Sequence, residues 1–142
     1  ALLRGLGATI ICRKNGLVRI SNKIAKDENR RIAVHTSRDL LSKSRNMGAK
    51  LLYKTPDLKD IEKAVKRNNI PLVMINMRAM HKINSPHWIV VTGSDRNTFL
   101  INDPYSKKGK DIRIRRPHLM RMMSDLKKLS GVEQMMLLIS DF

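Results

Sequence analysis

The residues best suited to chemistry in this chain lie in one stretch, from Pro86 to Tyr105. His87 stands near its start and Asp103 near its end. Ile89, Val90 and Val91 are β-branched, and Phe99, Leu100 and Ile101 are apolar. Gly93, Ser94, Asp95 and Asn97 between them are turn formers. The pattern predicts a β-hairpin with one of the longer turns. In a hairpin symmetric about Asp95, His87 and Asp103 face each other across the strands, with Cβ atoms about 4.5–5.5 Å apart. A carboxylate beside an imidazole fixes the ring tautomer and stabilises its protonated form. These are two members of a three-residue nucleophilic site, and the third must come from elsewhere.

Hairpins need partners, and the flanking sequence supplies candidates. Ala1–Leu6 reads as the last turns of a helix stopped by Gly5 or Gly7. Ala8–Arg13 reads as a strand. Asn15-Gly16 is a strong two-residue hairpin signal, and Leu17–Ile20 is the expected returning strand. From about Asp27 the pattern turns helical, with Ile32, Leu40, Leu41 and Met47 near one face and Gly48 as its stop. Lys50–Tyr53 is a short strand. Asp57, with Asp60 three residues on, predicts an N-cap for a helix carrying Leu58, Ile61, Ala64 and Val65. Leu72–Ile75 is a buried strand, Met77–Ser85 a loop, and Ser106–Lys110 a Lys/Gly loop. Ile112 and Ile114 alternate with basic residues as on a half-buried strand, Pro117 opens a helix, and Gln134–Ile139 closes as a strand. The expected core runs through Ile10, Leu17, Ile32, Leu41, Leu52, Ile61, Val65, Val73, Ile75, Ile89, Val91, Leu100, Ile101, Leu137 and Ile139. Met120, Met122, Met123, Met135 and Met136 are read as core filler. The class is α+β, with a mostly antiparallel sheet packed by helices.

Composition narrows the function. The 142 residues suffice for one domain with a real core, and 42% of them are hydrophobic. No apolar run approaches the roughly 20 residues that cross a bilayer, and no signal peptide is recognisable, so the expected location is cytoplasmic. One cysteine, Cys12, rules out an internal disulfide framework and a zinc–cysteine cluster. The four histidines show no metal-ligand spacing, and there is no phosphate-cradling glycine motif. No cofactor or metal is expected. The net charge of +17 points to nucleic acid, an anionic membrane surface or an acidic partner, or merely to a solvated basic surface. Aromatic residues are only 4% of the chain, which leaves few platforms for stacking bases. Lys107, Lys108, Lys110, Arg113, Arg115 and Arg116 form the patch where a nucleic acid or other anionic partner would be sought.

The run His87-Trp88-Ile89-Val90-Val91-Thr92-Gly93-Ser94-Asp95, followed by Ile101-Asn102-Asp103-Pro104, resembles the paired motifs of the bacteriocin-processing (double-glycine) cysteine peptidases and their uncharacterised bacterial relatives. Pro71-Leu72-Val73-Met74-Ile75, the helix 57–68 and Gly48 ahead of Lys50–Tyr53 fit the same order. The resemblance covers about Ala1–Asp103. It implies a papain-like cysteine peptidase fold in which His87 is the general base and Asp103 the acid that orients it. It also implies a nucleophilic cysteine at the start of the first helix, with an oxyanion-hole glutamine just upstream. Neither is present. Ala1–Gly7 resembles the remainder of that helix, so the expectation is an N-terminally incomplete domain, 1–142 being the C-terminal part of a longer one.

Cys12 is a poor replacement, because a catalytic thiolate needs a helix N-terminus or a neighbouring cation, and Thr9-Ile10-Ile11-Cys12 is a strand-like apolar run. The expected function is a cysteine peptidase-like domain acting on peptide or protein, silent in this chain. The other reading is a non-catalytic module that holds a peptide, an acidic protein or nucleic acid through its basic surface. A His and an Asp on facing strands can also be merely a structural ion pair. His35, His81 and His118 show no partner in the sequence and are expected at the surface.

Overall fold

Strand alternation sorts the apolar residues onto two faces of one sheet. The structure, a computed structural model, describes residues 5–14 and 28–141. In chain order the elements are β1 (Leu6–Cys12), α1 (Glu28–Asn46), β2 (Lys50–Tyr53), α2 (Leu58–Lys66), β3 (Ile70–Asn76), α3 (Arg78–His81), β4 (Pro86–Ser94), β5 (Thr98–Asn102), β6 (Ile112–Arg115), α4 (Arg116–Asp125), a π-helical turn (Leu126–Ser130) and β7 (Met135–Asp141). The seven strands form one sheet in the order β2-β1-β7-β3-β4-β5-β6. Every neighbouring pair is antiparallel except β1 with β2. The architecture is the expected α+β one, with a mostly antiparallel sheet.

On one face Val73, Ile75, Ile89, Val91, Phe99 and Ile101 pack with Ile61 of α2 and with Leu119, Met122 and Met123 of α4. On the other, Ile10, Cys12 and Met135 pack with Leu41 of α1, and Trp88 and Leu137 lean against them. His87 precedes Ile89 by two residues, so it emerges on the larger core's face. The helix signals read in the sequence are made. Asp57 accepts from the Asp60 N–H and Asp60 from the Asp57 N–H, a full capping box. Gly48 ends α1 at φ 97°, and Pro117 lies in the first turn of α4.

Several expectations are corrected. Ile32, Leu40, Leu52, Met47 and Met120 are all about half exposed. The inner face of α1 is instead Val34, Ser37, Leu41 and Ser44, a thin stripe that a search for apolar residues alone does not find. Leu6 belongs to β1 rather than to a helix, and the rest of Ala1–Leu6 up to Arg4 lies outside the described residues. So do Asn15-Gly16 and Leu17–Ile20, while β1 has both its edges taken by β2 and β7. The segment 77–85 is not all loop, since it holds α3. Among the described residues, no helix is long and apolar enough to cross a membrane.

The central hairpin forms, but in another register. Its turn is Asp95–Thr98, closed by the Asp95 N–H to the Thr98 carbonyl at 3.0 Å. The Asp95 carboxylate accepts from the Thr98 hydroxyl and from the backbone N–H groups of Asn97 and Thr98, which hold its carboxyl down at about 2. This centres the turn after Asp95, so Ser94 faces Phe99 and Gly93 faces Leu100. A bulge between Val91 and Gly93 then brings Val91 opposite Ile101 and Val90 opposite Asn102. His87 and Asp103 are therefore not ladder partners. Across the sheet His87 faces Ile75 of β3, and Asp103 lies one residue beyond the end of β5.

Candidate active site

His87 and Asp103 meet despite the shifted register, because the chain turns inward after Asn102. The Asp103 N–H donates to the Gly109 carbonyl at 2.6 Å, and the Gly109 N–H donates to Ser106 at 2.9 Å. Asn102 Oδ1 accepts from the Asp111 N–H at 2.9 Å. Gly109 is buried against this turn and leaves no room for a side chain. A Cβ there would overlap the Asp103 carbonyl oxygen and lie 2.9 Å from both the Asp103 carbonyl carbon and the Ser106 oxygen. The Tyr105 N–H then donates to Asp103 Oδ1 at 2.9 Å, an Asx-type turn that aims the carboxylate into the protein. Asp103 is 3% exposed.

Two imidazoles share that carboxylate. His87 Nε2 lies 2.6 Å from Oδ1, and His81 Nε2 lies 2.5 Å from Oδ2. The His81 ring stacks at a tilt on Tyr105, 4.7 Å between centroids, and meets His87 edge-on at 6.2 Å. Burial pushes the Asp103 carboxyl up, but the Tyr105 N–H and the two imidazoles outweigh it, and the group titrates below its ordinary value. An ionised carboxylate only accepts, so both Nε2 atoms carry the proton they donate. In the neutral ring, Nδ1 is then the basic nitrogen. Neither Nδ1 makes a hydrogen bond to another described residue. The two side chains are 14% and 16% exposed.

His81 is held as deliberately as His87. Asn76, 1% exposed at the end of β3, folds the chain into α3 by accepting from the Arg78 N–H two residues on at 2.9 Å. Its Nδ2 donates to Asn84 Oδ1 at 2.7 Å and to Ser130 Oγ at 2.8 Å. The Met77 N–H to Ser85 carbonyl bond closes the same loop at 3.0 Å. Among the described residues, every buried side-chain nitrogen and oxygen has a partner. The surface position expected for His81 is thus corrected: it is half-buried and hydrogen-bonded to Asp103. The polar Asn76 ending an apolar strand was the one signal that the loop after it is built to a purpose.

The other singled-out residues lie elsewhere. Cys12 is fully buried in β1, and burial raises its thiol above the ordinary value, which makes it a packing residue and not a thiolate. Arg113 pairs with Asp95 at 3.2 Å. Arg116 pairs with Glu62 at 3.4 Å, lies 4.6 Å above the centre of the Phe99 ring and donates to the Asp95 carbonyl, so it clamps the hairpin turn to α2 and α4. Lys107, Lys108 and Lys110 ride on the loop that Gly109 fastens to Asp103. Among the described residues, no group of three or more His, Cys, Asp and Glu side chains is placed to hold a metal ion. At the cluster itself, both Nε2 lone pairs are already protonated.

In this α+β protein the mostly antiparallel sheet thus ends in two imidazoles on one carboxylate, each with an Nδ1 that no described residue engages. The chain belongs to the Peptidase_C39 like family, whose model matches residues 1–138. Comparison with curated proteins and with solved structures finds no match.

Proposed function

We propose that this chain carries the base and the orienting acid of a papain-like cysteine peptidase site of the bacteriocin-processing (double-glycine) type. The observation that supports it most is the 2.6 Å bond from His87 Nε2 to a buried, ionised Asp103, which leaves Nδ1 unpaired among the described residues on a side chain that keeps some exposure. In this reading His87 Nδ1 takes the proton of a cysteine thiol. The thiolate sulfur attacks a peptide carbonyl carbon, and the imidazolium returns its proton to the leaving amine nitrogen as the C–N bond breaks. Water, deprotonated by the same nitrogen, then cleaves the thioester. Asp103 stabilises the imidazolium between these steps, and His81 pins the second carboxylate oxygen so that the first stays on His87.

Cys12 does not supply the sulfur, so the 142 residues alone are catalytically silent. Catalysis requires a cysteine outside them, and without one the same surface serves as a binding module, a reading favoured by lysines that pair with no described carboxylate. The test is a peptidase assay, on double-glycine peptides, of the protein as its gene encodes it. Thiol-dependent cleavage that falls about 10²- to 10⁴-fold in His87→Ala supports the proposal. Cleavage that survives His87→Ala, or cleavage by the 142-residue chain that Cys12→Ser abolishes, overturns it.

A further inference from the structure

Helix α1 turns its larger apolar residues away from the sheet. Among its described side chains, the inner face is Val34, Ser37, Leu41 and Ser44, and only Ser37 and Leu41 are buried. The outer face carries Ile32, Leu40 and Met47, which are 57%, 59% and 53% exposed. Met47 lies just beyond the helix, but its N–H donates to the Lys43 carbonyl at 3.0 Å, so the helical spacing reaches it. At about 100° and about 1.5 Å per residue, the three fall within about 80° of arc along about 22 Å. A lone exposed leucine is ordinary, but an aligned row opposite an inner face that is half serine marks an interaction surface.

The row is set in positive charge. Arg31, Arg38 and Arg45, two helical turns apart, line one flank, and Lys43 stands within the row. Arg31, Lys43 and Arg45 are exposed and make no ion pair with any described residue. Asp39, the one carboxylate between Arg31 and Met47, lies 3.3 Å from His35. The face therefore fits an anionic partner that also takes aliphatic side chains. A second copy of the chain is repelled by the +17 that each copy carries. A partner helix would want an apolar residue at every turn, whereas Thr36 and Lys43 interrupt this row. Nucleic acid would leave Ile32 and Leu40 in water, with no aromatic ring among them to stack on a base. An anionic bilayer surface accepts isolated aliphatic side chains between its headgroups, while the lysine and arginines reach the phosphates.

We propose that the outer face of α1 docks the protein on an anionic lipid surface, with Ile32, Leu40 and Met47 entering the headgroup layer and Arg31, Lys43 and Arg45 holding lipid phosphates. The helix lies along that surface, since among the described residues no helix is long and apolar enough to cross a membrane. The inference stands independently of the peptidase reading.

The test is co-sedimentation of the chain with phosphatidylcholine vesicles containing about 30% phosphatidylglycerol, against vesicles of phosphatidylcholine alone. The anionic vesicles should bind it and the neutral ones should not. Ile32→Ser/Leu40→Ser, at two exposed positions that the fold does not need, should weaken binding about tenfold. Arg31→Gln/Arg45→Gln should also weaken it about tenfold. Ile70→Ser/Met120→Ser removes side chains that are 50% and 57% exposed elsewhere on the surface, and should leave binding unchanged. Unchanged binding of Ile32→Ser/Leu40→Ser overturns the docking face and leaves only diffuse adsorption of a basic chain. Equal loss in both serine pairs overturns it too. Failure to bind the anionic vesicles overturns the lipid, and binding of an acidic helical peptide that depends on Ile32 and Leu40 would then give the face to a protein partner.

Discussion

Alanine in place of Gly109 should pull the His87–Asp103–His81 cluster apart. The added methyl overlaps backbone, not a flexible side chain, and so cannot be absorbed by a rotamer change. Either the turn at 103–109 opens or Asp103 moves. Both outcomes lose the Asp103 N–H to Gly109 carbonyl bond and swing the carboxylate away from the imidazoles. The cost of forcing a methyl into such a site is about 1–3 kcal/mol. Urea unfolding should show that loss, and the imidazole resonances of His81 and His87 should move toward that of exposed His118. A variant with unchanged stability and unchanged histidine resonances would mean that the loop is not what holds Asp103.

Removing the carboxylate should be costlier still. Asp103→Ala leaves the Tyr105 N–H and two imidazole N–H groups without their acceptor, at a position where the carboxylate itself is fully enclosed. Leaving a buried donor without its acceptor costs about 1–3 kcal/mol, and here three donors lose theirs at once. Asp103→Asn is the milder variant. Its Oδ1 still accepts from His87 and Tyr105, but its amide nitrogen now donates to His81, which must move its own proton to Nδ1. The pH dependence has a definite sign. Asp103 titrates lower in the folded state than unfolded, so its contribution is fully present above the unfolded value, about 4, and is lost as pH falls through the folded one. Wild type should therefore lose stability in acid more steeply than Asp103→Ala; parallel acid profiles for the two would remove Asp103 from the account.

Much of this was legible in the sequence. The β-branched and apolar runs at 89–91 and 99–101 placed the hairpin, and Asp57 with Asp60 marked the start of α2. His87 and Asp103 could be singled out because a histidine and an Asn-Asp-Pro flank those strands. The register was not legible. It depends on the Asp95 side chain accepting three hydrogen bonds within its own turn and on a bulge at Val91–Gly93, and neither leaves a mark in hydrophobic periodicity. The predicted contact arose all the same, because the turn after Asn102 brings Asp103 back to His87. His81 was invisible for a related reason. Its contact to Asp103 joins two irregular segments, 77–85 and 103–111, each shaped by side-chain hydrogen bonds and not by a repeat. Ile32 and Leu52 were misplaced because an apolar residue on a short or basic element need not face the core.

One ionised carboxylate holding the Nε2–H of two imidazoles leaves Nδ1 of His87 as the base of the proposed site. That arrangement is tested most directly by ¹⁵N-resolved imidazole spectra of the folded chain, with His81 and His87 assigned by substitution. Both rings in their neutral form should carry a proton on Nε2 and none on Nδ1, with His81 alone switching tautomer in Asp103→Asn. A proton on Nδ1 of His87, or His87 exchanging between tautomers as freely as His118, would contradict it.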